Sequence, residues 1–336
     1  MIISKTPLRV SFAGGGSDLK VYYQNGYGSV LSTAIDKFMY VSVNKTFDQR
    51  IRVIYSKVEF VERIEDIEHN LAREALKLIG FTGGGIDITY MGDMLPAHAG
   101  SGLGASSSLA VGILNALHAC NGERVSTETL AQEACQIEIE VLGRPIGKQD
   151  QYAAAYGGLN FMRFDRDESV SVTPANCSRE TLAKLNQNLL LFYTGLKTQS
   201  DNILTEQAEK TPDNLPVLGR MVGLSEELNR AVTTNDLSEF SNKLHEGWLH
   251  KQKLAAMITN EAIDNFYGKA REAGATGGKL LGSGGGGFLL LYCERENQVR
   301  VREALSELRE APFNFEPEGS KIIYNSDSSL GENSNE

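Results

Sequence analysis

The chain is poor in cysteine, and the four it has, Cys120, Cys135, Cys177 and Cys293, are scattered with no C-x-x-C pair. That spacing excludes a disulfide framework and a zinc cluster, leaving buried free thiols. No apolar run approaches the roughly 18 residues that a membrane-spanning helix needs. The opening Met1-Ile-Ile-Ser-Lys-Thr-Pro-Leu-Arg9 lacks the pattern of a signal peptide, so a cytoplasmic location is expected. Basic charge is also short: 33 Lys and Arg stand against 43 Asp and Glu, a net charge of −10. This balance argues against nucleic acid or an anionic membrane as partner. Any phosphate site must then be built locally, from backbone amides, a few cations and a metal ion. The 5 histidines show no metal-ligand pairing, and no internal repeat is present.

What remains is the composition of a globular protein, 41% apolar and 23% charged, in 336 residues, enough for two ordinary domains. Runs rich in β-formers cover residues 2–13, 29–33, 38–43, 51–55 and 86–90. A helix capped by Asn70 is expected over 70–78. Further helices are expected after the glycine-rich stretch at Gly100, with Leu109, Ile113, Leu114 and Leu117 on one face, and from Ser126. Strands at 159–164, 169–172 and 188–193 follow. Helices then dominate, over 200–210, 215–233, 237–258 and 261–272. A strand at 288–293, a helix at 298–309 and a strand at 321–324 close the chain. Strands first and helices later favour an α+β fold over a doubly wound parallel sheet.

The segment Gly100-Ser-Gly-Leu-Gly-Ala-Ser-Ser107 is the strongest chemical signal. Three closely spaced glycines let backbone amides approach a ligand. The run Ser106-Ser107-Ser108 falls on the first turn of the following helix, where free N–H groups and the macrodipole attract anions. Two other glycine clusters resemble familiar phosphate motifs but fail them. Gly274 to Lys279 ends in Gly-Gly-Lys, yet Leu280 stands where a Walker loop needs Ser or Thr. Gly282, Gly284 and Gly287 match G-x-G-x-x-G but run into a strand, whereas a dinucleotide fingerprint opens a helix.

Three segments together resemble the signatures of the GHMP kinases. They are Thr6-Pro-Leu-Arg-Val-Ser-Phe-Ala-Gly-Gly-Gly-Ser-Asp18, the stretch from Leu95-Pro96 to Ser108, and Leu281-Gly-Ser-Gly-Gly-Gly-Gly-Phe288. Ala105 replaces the first serine of the second signature. The resemblance implies an N-terminal domain with a ribosomal-protein-type βαβ unit (1–185), a ferredoxin-like C-terminal domain (186–325) and a flexible tail (326–336). ATP and acceptor would meet between the domains. Within the family, Gly14 to Asp18, Gly147-Lys-Gln-Asp-Gln-Tyr152 and the ending from Pro312 to Ile323 are most similar to D-glycero-D-manno-heptose 7-phosphate kinases.

By that resemblance Gly100, Ser101, Gly102, Gly104, Ala105, Ser106 and Ser107 wrap the ATP phosphates, and Ser106 with Glu138 binds Mg²⁺. Glu140 is the alternative carboxylate. Asp150 is the catalytic carboxylate and Arg9 the cation beside it. Gly14, Gly15, Gly16, Ser17, Asp18, Lys148, Gly284 and Gly285 would bind the sugar phosphate. Arg144, Lys197 and the cations of Leu244 to Lys251 are further candidates for its phosphate. The implied reaction is ATP-dependent phosphorylation of the anomeric hydroxyl of D-glycero-D-manno-heptose 7-phosphate, giving the 1,7-bisphosphate for nucleotide-activated heptose. Fucose or another sugar as acceptor, and a sensor without turnover, are the alternatives.

Overall fold

The computed structural model describes residues 1–94, 102–198 and 200–326. The expected loop residues Gly100 and Ser101, and the tail from Asp327, lie outside them. The strands are β1 (Ile2–Ala13), β2 (Tyr27–Lys45), β3 (Ile51–Ile54), β4 (Val58–Val61), β5 (Ile86–Gly92), β6 (Leu159–Asp165), β7 (Val170–Pro174), β8 (Leu189–Tyr193), β9 (Gly277–Leu280), β10 (Phe288–Tyr292), β11 (Arg309–Glu310) and β12 (Lys321–Asn325). The helices are α1 (Lys20–Tyr23), α2 (Asn70–Leu78), α3 (Ala105–Cys120), α4 (Thr127–Cys135), α5 (Gln149–Tyr156), α6 (Arg179–Gln187), α7 (Ser200–Glu209), α8 (Leu215–Thr233), α9 (Leu237–Lys251), α10 (Glu261–Glu272) and α11 (Gln298–Ala304). Among the described residues none of these helices is long and apolar enough to cross a membrane.

The runs at 29–33 and 38–43 are two halves of one strand, the 19-residue β2. Its first half pairs with β6 and its second half with β5, both antiparallel, while β1 runs along its other side. Alternation is masked there because β2 is buried along most of its length. The resulting eight-stranded sheet carries α3 against β1 and β2. This helix is buried nearly all round, from Ser107 to His118, rather than along the one stripe its leucines suggested. It is sandwiched between the sheet and the pair α4 and α5.

A second sheet, in the order β11-β8-β10-β9, packs against α9 and α10, while α8 lies on α9 and reaches back to β1 and β2 of the first sheet. Strand β9 runs through the end of the glycine cluster Gly274 to Lys279, where no strand was expected. Helix α9 ends at Lys251, not Ile258, because the chain turns to bury Leu254, Ala255 and Ile258 in the second core. Helix α11 ends at Ala304, and its last residues give way to edge strand β11. Helix α2 is capped by His69, whose Nδ1 accepts from the Ala72 N–H at 3.2 Å, rather than by Asn70. The expected second unit, 186–325, does not close on itself: β12 returns to the first sheet and pairs with residues 2–5 of β1.

The two halves also meet through aromatic packing. Phe12 of β1 and Phe240 of α9 lie edge to face with centroids 5.2 Å apart, both at most 1% exposed. Phe240→Ala should cost about 3–5 kcal/mol, the range for deleting a buried aromatic side chain. The lone tryptophan, the fully buried Trp248, reports unfolding in urea. A midpoint within error of wild type would show that this contact does not hold the halves together.

Candidate active site

Strand β12 covers only the first residues of β1, so the edge of β1 beyond them is free to take a loop. The Arg9 N–H donates to Leu103 O at 3.0 Å, and Ser108 Oγ donates to Pro7 O at 2.7 Å. These bonds fix the glycine loop and the start of α3 against the strand. The Arg9 side chain, 4% exposed, completes the junction. Its Nη1 donates to Gly102 O at 2.6 Å, while Nε and Nη2 each reach one oxygen of Asp150 at 2.7 Å. Such a planar two-point pair sets the carboxylate's position as well as its charge. Asp150 itself stands in the first turn of α5.

The carboxylate beside Ser106 is Glu138, fully buried, while Glu140 is exposed. Helix α4 continues into a π-helical turn over Gln136–Val141, and Glu138 lies on it. Such turns recur at functional sites. Glu138 Oε1 accepts from Ser106 Oγ at 2.8 Å and Arg144 Nη1 at 2.6 Å, and Oε2 accepts from Gln151 Nε2 at 2.7 Å. Arg144 Nη1 also reaches Ser106 Oγ. Two hard oxygens that already share a guanidinium have the donor chemistry a Mg²⁺ ion requires.

Asp18 borders the same cleft beside the start of α5, 2% exposed. It accepts from the Gly16 N–H at 2.9 Å and the Gln149 N–H at 3.2 Å. Burial raises its carboxyl above the ordinary range; the Asp150 charge adds to this, and the two N–H groups oppose it. Gly147 is required for this approach, since a Cβ there would lie 2.0 Å from Asp18 Oδ2. The loop after β9 closes the opposite wall. A Cβ on Gly282, whose φ is +69°, would come within 2.3 Å of Gly102 Cα. The two glycine loops thus touch backbone to backbone.

Together these groups line a cleft of about 1000 Å³ between the halves. Gly15, Gly16, Asp18, Arg9, Gly102, Gly104, Ala105, Ser106, Ser107, Glu138 and Asp150 all border it. Other expected residues do not. Gly14 packs on Ser29, and Ser17 is fully buried, its hydroxyl bonded to Gly14 O and Ser29 O. Both shape the turn from within. Lys148 points away, donating to Glu168 Oε2 at 2.6 Å and Glu168 O at 3.0 Å. Gly284 and Gly285 pack against Ile258 and Met257. The cleft wall also includes residues with no sequence signal of their own: Ser11, His69, Tyr90, Thr198 and Gln207. Lys251 and Lys279 border it too, the latter from the Gly-Gly-Lys segment that had been set aside as a failed Walker loop.

A glycine- and serine-rich helix start joined through one arginine to a carboxylate on the wall of a cleft is the arrangement of a phosphotransferase. Models of the GHMP kinase N-terminal and C-terminal domains match residues 69–158 and 225–311, and the chain belongs to this family of kinases. It is 27% identical over 335 residues to a D-glycero-alpha-D-manno-heptose 7-phosphate kinase of Campylobacter jejuni, covering 95% of this chain and 98% of the relative. It is 27% identical to a bifunctional fucokinase/GDP-fucose pyrophosphorylase of Arabidopsis thaliana over 90% of this chain but 31% of that longer one. A crystal structure of a D-glycero-D-manno-heptose 1-phosphate kinase from Bacteroides thetaiotaomicron is similar with a TM-score of 0.81 at 28% identity, covering 97% of this chain and 100% of that one.

Burial and the neighbouring cations Lys279 and Arg9 hold the Lys251 ammonium well below its ordinary range; burial and Arg9 push Lys279 down to about 7 from 10.5. Between those two values Lys279 is protonated in the unfolded chain and neutral in the folded one. The unfolded state then binds more protons, so stability rises with pH across this window. Without ligand, wild type should gain several degrees in melting temperature on Lys279→Met between about pH 7 and pH 10. A constant difference would show that Lys279 keeps its proton when folded.

Proposed function

We propose that the chain is an ATP-dependent sugar kinase acting on the anomeric hydroxyl of D-glycero-D-manno-heptose 7-phosphate. The observation that carries the reading is Asp150, held by Arg9 at the point where the glycine loop, the Asp18 turn and the second half meet. Similarity to heptose phosphate kinases along nearly the whole chain supports the acceptor. The cleft has two differing ends. Met39, His69, Tyr90, Leu109 and Leu142 form a more apolar, aromatic wall suited to a nucleoside base. Asp18, Gln149, Thr198 and Gln207 form a polar wall suited to a polyhydroxylated acceptor.

In this reading Gly102, Gly104 and the first N–H groups of α3 receive the ATP phosphates. Ser106 and Glu138 would hold Mg²⁺, which neutralises charge on the phosphate oxygens when bound. The acceptor hydroxyl forms a new P–O bond to the γ-phosphorus as the bond to the bridging oxygen breaks and ADP leaves. Asp150 receives the hydroxyl proton: each of its oxygens keeps a lone pair beyond the one Arg9 uses. Arg9 holds that carboxylate in line and adds positive charge where phosphoryl charge develops. Asp18 and Gln149 orient the sugar.

Asp150→Asn should lower kcat by about two to four orders of magnitude, the usual contribution of a positioned base, while ATP affinity by calorimetry stays within a few-fold of wild type. Unchanged turnover would remove Asp150 from the reaction. The acceptor is tested by ADP release with heptose 7-phosphate, fucose, galactose and mannose. Preference for heptose 7-phosphate is expected. The fucokinase relative makes fucose the second reading, and preference for a sugar without phosphate would overturn the first. Ser106→Ala should raise the Mg²⁺ concentration needed for half-maximal rate, and an unchanged Mg²⁺ titration would free Ser106 of that role.

A further inference from the structure

The cleft floor carries more positive charge than its protein partners account for. Arg9, Lys251 and Lys279 all border it, each more than nine-tenths buried. Arg9 is matched by Asp150. Among the described residues the two lysines have no carboxylate partner. Lys251 Nζ donates only to Leu280 O at 2.9 Å and Gly282 O at 2.5 Å; Lys279 Nζ donates only to Phe12 O at 3.0 Å. An ammonium has three donors. One N–H of Lys251 and two of Lys279 therefore lack a protein acceptor among the described residues.

Ser11 is a second, independent observation. It lies two residues beyond Arg9 on β1, is 7% exposed and borders the same cleft. Its buried hydroxyl has no hydrogen-bond partner among the described residues. Leaving a buried hydroxyl and buried ammonium N–H groups unbonded is costly, so such groups together mark a place completed by a ligand. The carbonyl contacts fix both ammonium groups without neutralising them. Burial presses both lysines toward the neutral form, with the charges of Lys279 and Arg9 adding at Lys251 and that of Arg9 at Lys279, a cost that an oxyanion beside them would offset.

We propose that Lys251, Lys279 and Ser11 form an oxyanion subsite beside Arg9 that takes a phosphate dianion. Protonated beside an oxyanion, Lys251 and Lys279 match two negative charges, and the Ser11 hydroxyl supplies a further donor to a tetrahedral group. A single carboxylate would leave one lysine uncompensated. The inference rests on the phosphotransfer reading above, and the dianion has two sources: the acceptor's own phosphate or the terminal phosphoryl group of ATP.

Inorganic phosphate is the probe, with affinity measured by thermal shift and calorimetry on the whole chain. Lys251→Met and Lys279→Met keep side-chain length and should each weaken phosphate binding about tenfold or more, the size expected for losing a charged hydrogen bond. Lys→Arg at either position should restore part of the affinity. Ser11→Ala removes a hydroxyl that holds nothing in the free protein. It should melt like wild type yet bind phosphate several-fold more weakly, an arm that misfolding cannot imitate. Phosphate affinity within twofold of wild type in Ser11→Ala and in the folded lysine variants would overturn the subsite.

Kinetics then separate the sources. A rise in KM confined to a phosphorylated acceptor, absent with its dephosphorylated counterpart, assigns the subsite to the acceptor's phosphate. A fall in kcat with both acceptors assigns it to the phosphoryl group in transfer. The phosphate-binding arm needs no turnover. A chain that binds phosphate through these residues but phosphorylates none of the sugars tried would sustain the subsite while overturning the acceptor reading.

Discussion

The site depends on one guanidinium. Arg9 is a strand residue whose N–H pins the glycine loop and whose side chain bonds both the loop carbonyl of Gly102 and the carboxylate of Asp150. One rigid fork therefore sets the distance between the place where an anion would bind and the group that would take a proton. A lysine could satisfy either neighbour with a point charge, but not hold both in one plane. The short reach of β12 along β1 matters for the same reason. Were it longer, the strand edge that receives Leu103 would already be paired.

The second half of the chain is coupled to this junction at two depths. Near the surface of the cleft, the loops at Gly102 and Gly282 meet with no room for a side chain. Deeper down, Lys279 reaches across to Phe12 O, and Phe240 packs on the Phe12 ring. Lys279 is thus anchored to the strand that carries Arg9, while Lys251 is held within its own half by Leu280 O and Gly282 O. Their placement follows from the packing of the two halves as much as from any local motif.

The sequence made the architecture around the site largely readable, because glycine loops, caps and β-runs are local signals. The helix start at Ser126, the buried run before Tyr193 and the helix after the Gly100 loop all leave such traces. What escaped was decided by tertiary contacts. Nothing local distinguishes two strands at 29–33 and 38–43 from one strand with two partners. Lys148 looked like a substrate cation beside Asp150, but Glu168 on a distant hairpin claims it. Ser11 is one serine among β-formers until β1 faces it into the cleft. Lys279 was visible only as part of a motif it did not complete, and its importance comes from having no carboxylate partner among the described residues, which no spacing rule records.

The π-helical turn at Gln136–Val141 gives the carboxylate Glu138 an unusual kind of precision. A π turn holds one residue more than an α turn, and here it closes α4, the chain leaving the helix at Leu142. Its position along the helix can change only by whole residues, and relaxing it would swing the side chains on one flank by about 100°. The location of Glu138 is therefore discrete rather than adjustable. Gradual drift of the helix cannot carry the carboxylate away from Ser106; only a change of register can, and that would break its bonds to Ser106, Arg144 and Gln151 together.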